Sequence, residues 1–428
     1  MSAPHRPSIT FVQGVALYMG AVLGSGILIL PGYTVRAAGP SAIVSWLLLS
    51  LLSFPLAYTF ARLALRYQDL GGISVIVKNA FGRTMGALVG WYFMVWVSVG
   101  QAVVGVTGAG YIASAFHLGH DAVYLMSFLF LVCAMITALL GMKAGGNLSL
   151  LLSGVVLLLL VLTIVFSMPH VESANFTPFA PQGIGGIGAA CVLIFWAFFG
   201  WESITHLVPE FQNPKRDVMR STWISVVLVG AVYTLLAFVT IGTGTSGDGN
   251  ESSAPLAVLM SQALGVGAGA VTAVITCIVC LGTLNVYLAS SSRLAYALAR
   301  DGVFPRWFEA KSNRDVPHRA VWYFFLTNSA TLLVCYAFHV SVDKLILVPV
   351  TLGILVYIIT TFACVKLLWN DPVGRWTSLL SALFCLAVAP FAQGYLIVPV
   401  LVTGACVLYL RWRGNRESLT VRQKNEVL

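Results

Sequence analysis

From Val155 to Val165 the chain carries no charged side chain, and comparable apolar stretches recur along its whole length. Such a segment is unstable in water, and a backbone placed in hydrocarbon must satisfy its own amides and carbonyls, which only helices and closed barrels do. No alternating ten-residue strand pattern appears, so the runs predict helices. Divided at their polar breaks, they give spans near 10–36, 40–62, 86–116, 122–141, 147–168, 184–210, 221–243, 266–293, 319–339, 344–366, 376–392 and 394–411. The expected fold is therefore an all-α polytopic membrane protein with twelve transmembrane helices. Composition excludes a soluble enzyme: only 9% of residues are charged, against about 25% in soluble domains.

A formal charge of +9 would suit a nucleic-acid partner, but the distribution of charge reads as topology. With the N-terminus in the cytoplasm, only Arg36 and Lys344 of the 24 basic residues fall on the outer side. Positive charge concentrates on cytoplasmic segments, so both termini are expected there, in a multi-pass protein of the inner (plasma) membrane with no nucleic-acid role. The eight cysteines all lie within the spans as small apolar residues. Cys277 and Cys280 form a CxxC without a second pair or a histidine cluster, so no metal and no cofactor are expected. The first apolar stretch is too long for a signal-peptide core and is expected to remain as the first helix.

The polar connections 62–85, 210–220, 244–254 and 300–318 are too short for a separate core. One transmembrane domain is expected, with a tail over 412–428. The short apolar segment Pro255–Leu264 is expected to lie at the surface.

Two spans are interrupted by glycine near their middles. The first contains Gly24-Ser25-Gly26-Ile27, and the sixth contains Phe199-Gly200-Trp201-Glu202. Each opens a set of five spans, 10–168 and 184–366. Five being odd, the second set must cross the membrane upside down relative to the first, as in inverted-repeat transporters whose discontinuous helices meet at the midplane. The spans 376–411 stand outside the repeats.

A break in a lipid-buried helix persists where something polar replaces the lost hydrogen bonds. The half-helix after the first break presents the amides of Ser25, Gly26 and Ile27 and a positive dipole end, which suit a carboxylate. The half-helix before the second break ends in carbonyls around Phe198 and Phe199, which suit an ammonium group. Together they describe the backbone of an α-amino acid. Glycines that only permit close helix packing are the plainer alternative. Phe195, Trp196, Phe199 and Trp201 predict an apolar pocket, with Trp196 and Trp201 as candidate gates. No Lys or Arg sits at midplane depth, so neutral amino acids are the expected substrates.

Glu202 is the one carboxylate near the bilayer centre. Buried without a basic neighbour, it is suited to carry a proton; it is equally suited to cap the half-helix that follows the break. His206 and Glu210 follow at four-residue steps, about 6 Å apart on one helical face, the spacing of a candidate proton route. A channel would need a continuous polar lining, and a membrane enzyme a catalytic motif; neither is present.

In Gly24-Ser25-Gly26-Ile27, Phe195-Trp196 with Gly200 and Glu202, His206-Leu207 with Glu210-Phe211, Asn213-Pro214 with Arg216-Asp217, Leu284-Asn285 with Tyr287, and Cys364 with Lys366-Leu367-Leu368, the chain resembles the amino acid–polyamine–organocation (APC) superfamily. It resembles most the bacterial exporters of methionine and branched-chain amino acids. The resemblance implies a five-plus-five inverted repeat of LeuT-like type followed by two peripheral helices. It also implies carboxylate binding at Ser25, Gly26 and Ile27, amino-group binding by carbonyls near Val22 and Phe199, and gating at Trp196. Some relatives place a coupling lysine in the fifth helix, where this chain reads Ser153-Gly-Val-Val-Leu157. The expected activity is secondary transport of methionine, leucine, isoleucine or valine, outward and against protons, with uptake or exchange as the alternative.

Overall fold

The computed structural model describes residues 9–67, 72–141, 146–203, 208, 211–245 and 254–426. Every regular element among them is a helix. The first span is two helices: α1 (Phe11–Val22), opened by a reciprocal Thr10–Gln13 capping box, and α2 (Gly26–Ala38). Then follow α3 (Ala42–Arg66), α4 (Ile73–Phe81), α5 (Arg83–Ala115), α6 (His120–Leu139), α7 (Gly146–Ser167) and α8 (Gly183–Phe198). The second half holds α9 (Pro214–Gly242), α10 (Pro255–Leu264), α11 (Val266–Arg300), α12 (His318–Ala337), α13 (Leu347–Leu367), α14 (Pro372–Val388) and α15 (Ile397–Glu426).

Among the described residues, nine helical stretches are long and apolar enough to cross a membrane; α1, α8 and α10 are shorter apolar helices. The outer surface is a belt of open aliphatic side chains, among them Leu125, Leu158, Val271, Leu333, Leu380 and Leu401. Such a belt suits lipid rather than water. Inside it, α2 packs on α8, α3 on α9 and α5 on α11. Helix α5 is buried along most of its 33 residues and forms the central post.

One sequence expectation needs correction. The segment Pro255–Leu264 does not lie flat on the surface: Leu256 and Leu259 are fully buried, and α10 packs on α11, α7 and α2. The connection 62–85 contains a helix, α4, whose Ile73, Ile76, Val77 and Ala80 are buried against α5 and α13 while Lys78 stays open. The four apolar positions at helical spacing carried that signal. Helix α15 runs on through the 412–426 part of the tail, and a 3-10 segment, Ala389–Leu396, with Gln393 at φ 49, separates it from α14.

Candidate functional site

The first break occupies three residues. Leu23 N donates to Met19 O (2.6 Å) and Gly24 N to Val22 O (2.7 Å); the ladder resumes at Leu28 N to Ser25 O (3.3 Å). Among the described residues, the amides of Ser25, Gly26 and Ile27 have no hydrogen-bond partner, and Ser25 makes no side-chain cap. They form an open helix N-terminus inside an apolar protein, an arrangement that favours an anion.

At the second break α8 ends on Phe198, and Gly200 takes φ +124, a backbone region that only glycine enters without strain. A Cβ here would strike the Ala21 carbonyl and lie 3.3 Å from Val22 N, so this glycine lets the two breaks touch. Their polar groups are tied together from outside. Tyr233 on α9 donates its hydroxyl to Val22 O (2.9 Å) and Ala197 O (3.2 Å), one acceptor at the end of each leading half-helix. Glu202 Oε2 accepts from Gly200 N (3.0 Å) and from the Tyr357 hydroxyl of α13 (2.5 Å).

Between the first break and α5 lies a cavity of about 30 Å³, lined by Val22, Ser25, Gly26, Trp196 and Phe199 together with Trp96, Gln101, Thr283, Leu284 and Tyr287. No lining residue is charged. The Trp196 indole crosses it: a Cβ on Gly26 would lie 2.8 Å from Trp196 Cδ1, and one on Gly100 would lie 2.9 Å from Cη2. Trp96 packs behind with its ring tilted, centroids 6.4 Å from Trp196 and 4.5 Å from Phe199. A volume of this size holds about two water molecules. An amino acid therefore enters only if the aromatic wall moves.

The family model described as "Amino acid permease" matches residues 9–410. The chain belongs to the amino acid permease family. The permease is 34% identical over 411 residues to the uncharacterized amino acid permease YecA of Bacillus subtilis, covering 96% of this chain and 97% of that one. It is 29% identical to the L-methionine/branched-chain amino acid exporter YjeH of Escherichia coli, over 85% and 87% of the two chains. A cadaverine/lysine antiporter of E. coli is 27% identical over 75% of this chain and 73% of its own. These relatives are named as transporters rather than enzymes.

Of the residues singled out from the permease sequence, Val22, Ser25, Gly26, Trp196 and Phe199 meet at the cavity, while Ile27 is fully buried and not part of the lining. Trp196 and Phe199, three residues apart, share a face of the chain. Phe198 does not reach the cavity; its ring packs on Trp46 and Tyr233, at 6.4 and 5.2 Å. Phe195 is not in the lining; its ring packs tilted against Phe199, at 6.0 Å. Trp201 is not at the cavity either, because the turn at Gly200 carries it to Tyr18, 6.0 Å away. Glu202 sits behind Gly200, bonded to the Gly200 amide and to Tyr357 of α13, and is not itself a lining residue. His206 and Glu210 lie outside the described residues, as does the face they are expected to share.

The sequence reading missed Tyr233, Tyr357, Gln101 and Trp96. Each is a polar or amphipathic side chain in an otherwise apolar span, where an unsatisfied polar group is costly. That cost was the available signal. From the resemblance motifs, Leu284 and Tyr287 line the cavity, whereas Asn285 turns away and accepts from the Thr137 hydroxyl of α6.

Proposed function

We propose that this permease transports neutral, mainly hydrophobic L-amino acids such as methionine, leucine, isoleucine and valine, by alternating access and as a proton-coupled exporter or antiporter. The observation that carries the reading is the row of unbonded amides at Ser25, Gly26 and Ile27 beside a cavity with aromatic walls and no charged lining residue. Amides hold the carboxylate, the carbonyl ends near Val22 and Phe199 take the ammonium group, and Trp196 is the gate. The relationship to YjeH supports the choice of substrates.

The fold proposed with this function has twelve crossings, with 10–168 and 184–366 as inverted repeats and 376–411 peripheral, in the inner membrane with both termini cytoplasmic. Packing of first, second and third helices of one set on their counterparts in the other supports it. Proton coupling is assigned to Glu202, with His206 next along the chain.

Counterflow of labelled leucine in proteoliposomes tests the substrate class: isoleucine, valine and methionine compete, glutamate and arginine do not. Tight arginine binding overturns it. Coupling is tested by Glu202→Gln, which keeps size but cannot ionise. The variant is expected to retain exchange and lose the pH dependence of net flux between about pH 5.5 and 8. An unchanged pH profile assigns Glu202 to capping the break and sends the proton elsewhere. Net efflux against counterflow alone separates the exporter from a pure exchanger, the reading that the cadaverine/lysine antiporter relative favours.

A further inference from the structure

Among the described residues, the cavity wall opposite the first break holds a fully buried polar atom without a hydrogen-bond partner. Gln101 on α5 lines the cavity and is only 2% exposed, yet its Nε2 has no partner among the described residues. A buried donor left unpaired is costly, and the cost is relieved by any state that brings it an acceptor. The rest of the site is built to keep Gln101 where it is. Asn328 of α12, fully buried, accepts from Ala102 N (2.9 Å) and donates to Val97 O (3.2 Å) and Phe324 O (2.8 Å). One carboxamide thus grips the α5 backbone on both sides of Gly100 and Gln101, and the missing Cβ of Gly100 leaves room for the Trp196 ring beside them.

We infer that Gln101 is a specificity-determining residue that donates a hydrogen bond to the substrate carboxylate, taking the oxygen that the Ser25–Ile27 amides leave free. This assignment rests on the neutral amino acid reading above. A hydrophobic amino acid such as leucine has one group that accepts hydrogen bonds, its carboxylate, so a donor in the wall has no other target on it. The pairing also selects: a molecule with the same side chain but no carboxylate leaves Nε2 unpaired and is rejected, as sites built around a buried donor reject analogues lacking the matching group.

Gln101→Met tests this, because it is nearly isosteric and removes the donor. Leucine affinity and unliganded melting temperature are measured on the purified full-length protein. If Gln101 serves the ligand, leucine binds about tenfold more weakly while the unliganded melting temperature holds or rises, since an unpaired buried donor has been removed. Affinity within twofold of wild type overturns the assignment. So does a fall in melting temperature that accompanies the weaker binding, which marks a structural role. Failure of the wild type itself to bind leucine, isoleucine, valine or methionine overturns both this assignment and the substrate reading; wild-type binding with an unaffected variant overturns this assignment alone.

Discussion

The two helix breaks solve one problem in opposite ways. At Leu23–Ser25 the chain leaves three amides unbonded and sets them beside a cavity. At Phe199–Gly200 two of the freed groups are taken by the protein's own side chains: Glu202 holds the Gly200 amide, Tyr357 holds Glu202, and Tyr233 covers Ala197 O. The first break thus leaves a row of amides open to a ligand, while at the second the Gly200 amide and the Ala197 carbonyl are satisfied internally and braced to α13 and α9. In a bilayer, where backbone groups find no water, such a difference leaves the amides of the first break in need of an outside partner and those of the second without that need.

The largest effect is expected at the contact where the breaks meet. Gly200→Ala forces a side chain into φ +124 and against the Ala21 carbonyl. The backbone strain alone costs about 1–3 kcal/mol, and the collision adds to it. Transport should fall to background and the melting temperature should drop. If Gly200→Ala is tolerated, the breaks do not depend on this contact, and the comparison loses its hinge.

Gly26→Leu is expected to cost less stability than that, since its backbone is helical and unstrained, yet to be equally damaging to flux. Its Cβ would lie 2.8 Å from Trp196 Cδ1 and 2.9 Å from Ala197 Cα, in the space a carboxylate needs. Membrane insertion and chromatographic behaviour should be retained while substrate binding is lost. Binding at the wild-type level would show that the open amides are not the ligand site.

Tyr233→Phe separates the breaks without filling space. Val22 O keeps its bond from Gly24 N, but Ala197 O loses the hydroxyl. An unpaired buried carbonyl costs about 1–3 kcal/mol, so a lower melting temperature is expected with the cavity unchanged. An unaltered melting temperature would mean that the breaks are not coupled through this hydroxyl.

Much of this was legible in the sequence because membrane physics constrains it so tightly. Apolar runs marked the helices, and glycine in mid-span marked both breaks, since a lipid-buried helix has few other reasons to stop. Partners were not legible. Tyr233 meets Val22 across 211 residues and Tyr357 meets Glu202 across 155, and no local pattern encodes such pairings. For the same reason Phe198 and Trp201 read as parts of the pocket from sequence alone: the turn at Gly200 decides where each ring faces, and hydropathy carries no information about it. The inner packing of α10 was missed because a mostly apolar helix of ten residues is equally consistent with an interfacial segment.

A carboxylate outside the spans gives the smallest prediction and a control for Glu202. Asp371 accepts Gly374 N at 3.2 Å as the N-cap of α14, and accepts Arg62 Nε and Nη2 at 2.8 and 2.5 Å. Burial pushes its carboxyl up, but the Arg62 guanidinium and the Gly374 amide outweigh burial and hold it below its ordinary value. A group whose folded pKa is depressed contributes stability above the unfolded pKa of about 3.9 and loses it as pH falls through the folded value. Asp371→Asn keeps the cap and removes the ion pair; with the Arg62 side chain 41% exposed, the loss should be at most about 1 kcal/mol. Melting temperatures of the two proteins should differ by a small constant between about pH 5 and 8 and converge below about pH 4. Glu202, held by the Tyr357 hydroxyl and the Gly200 amide, should instead give a variant whose flux rather than stability changes across the neutral range. A stability difference for Asp371→Asn that grows on acidification would refute the ion-pair account.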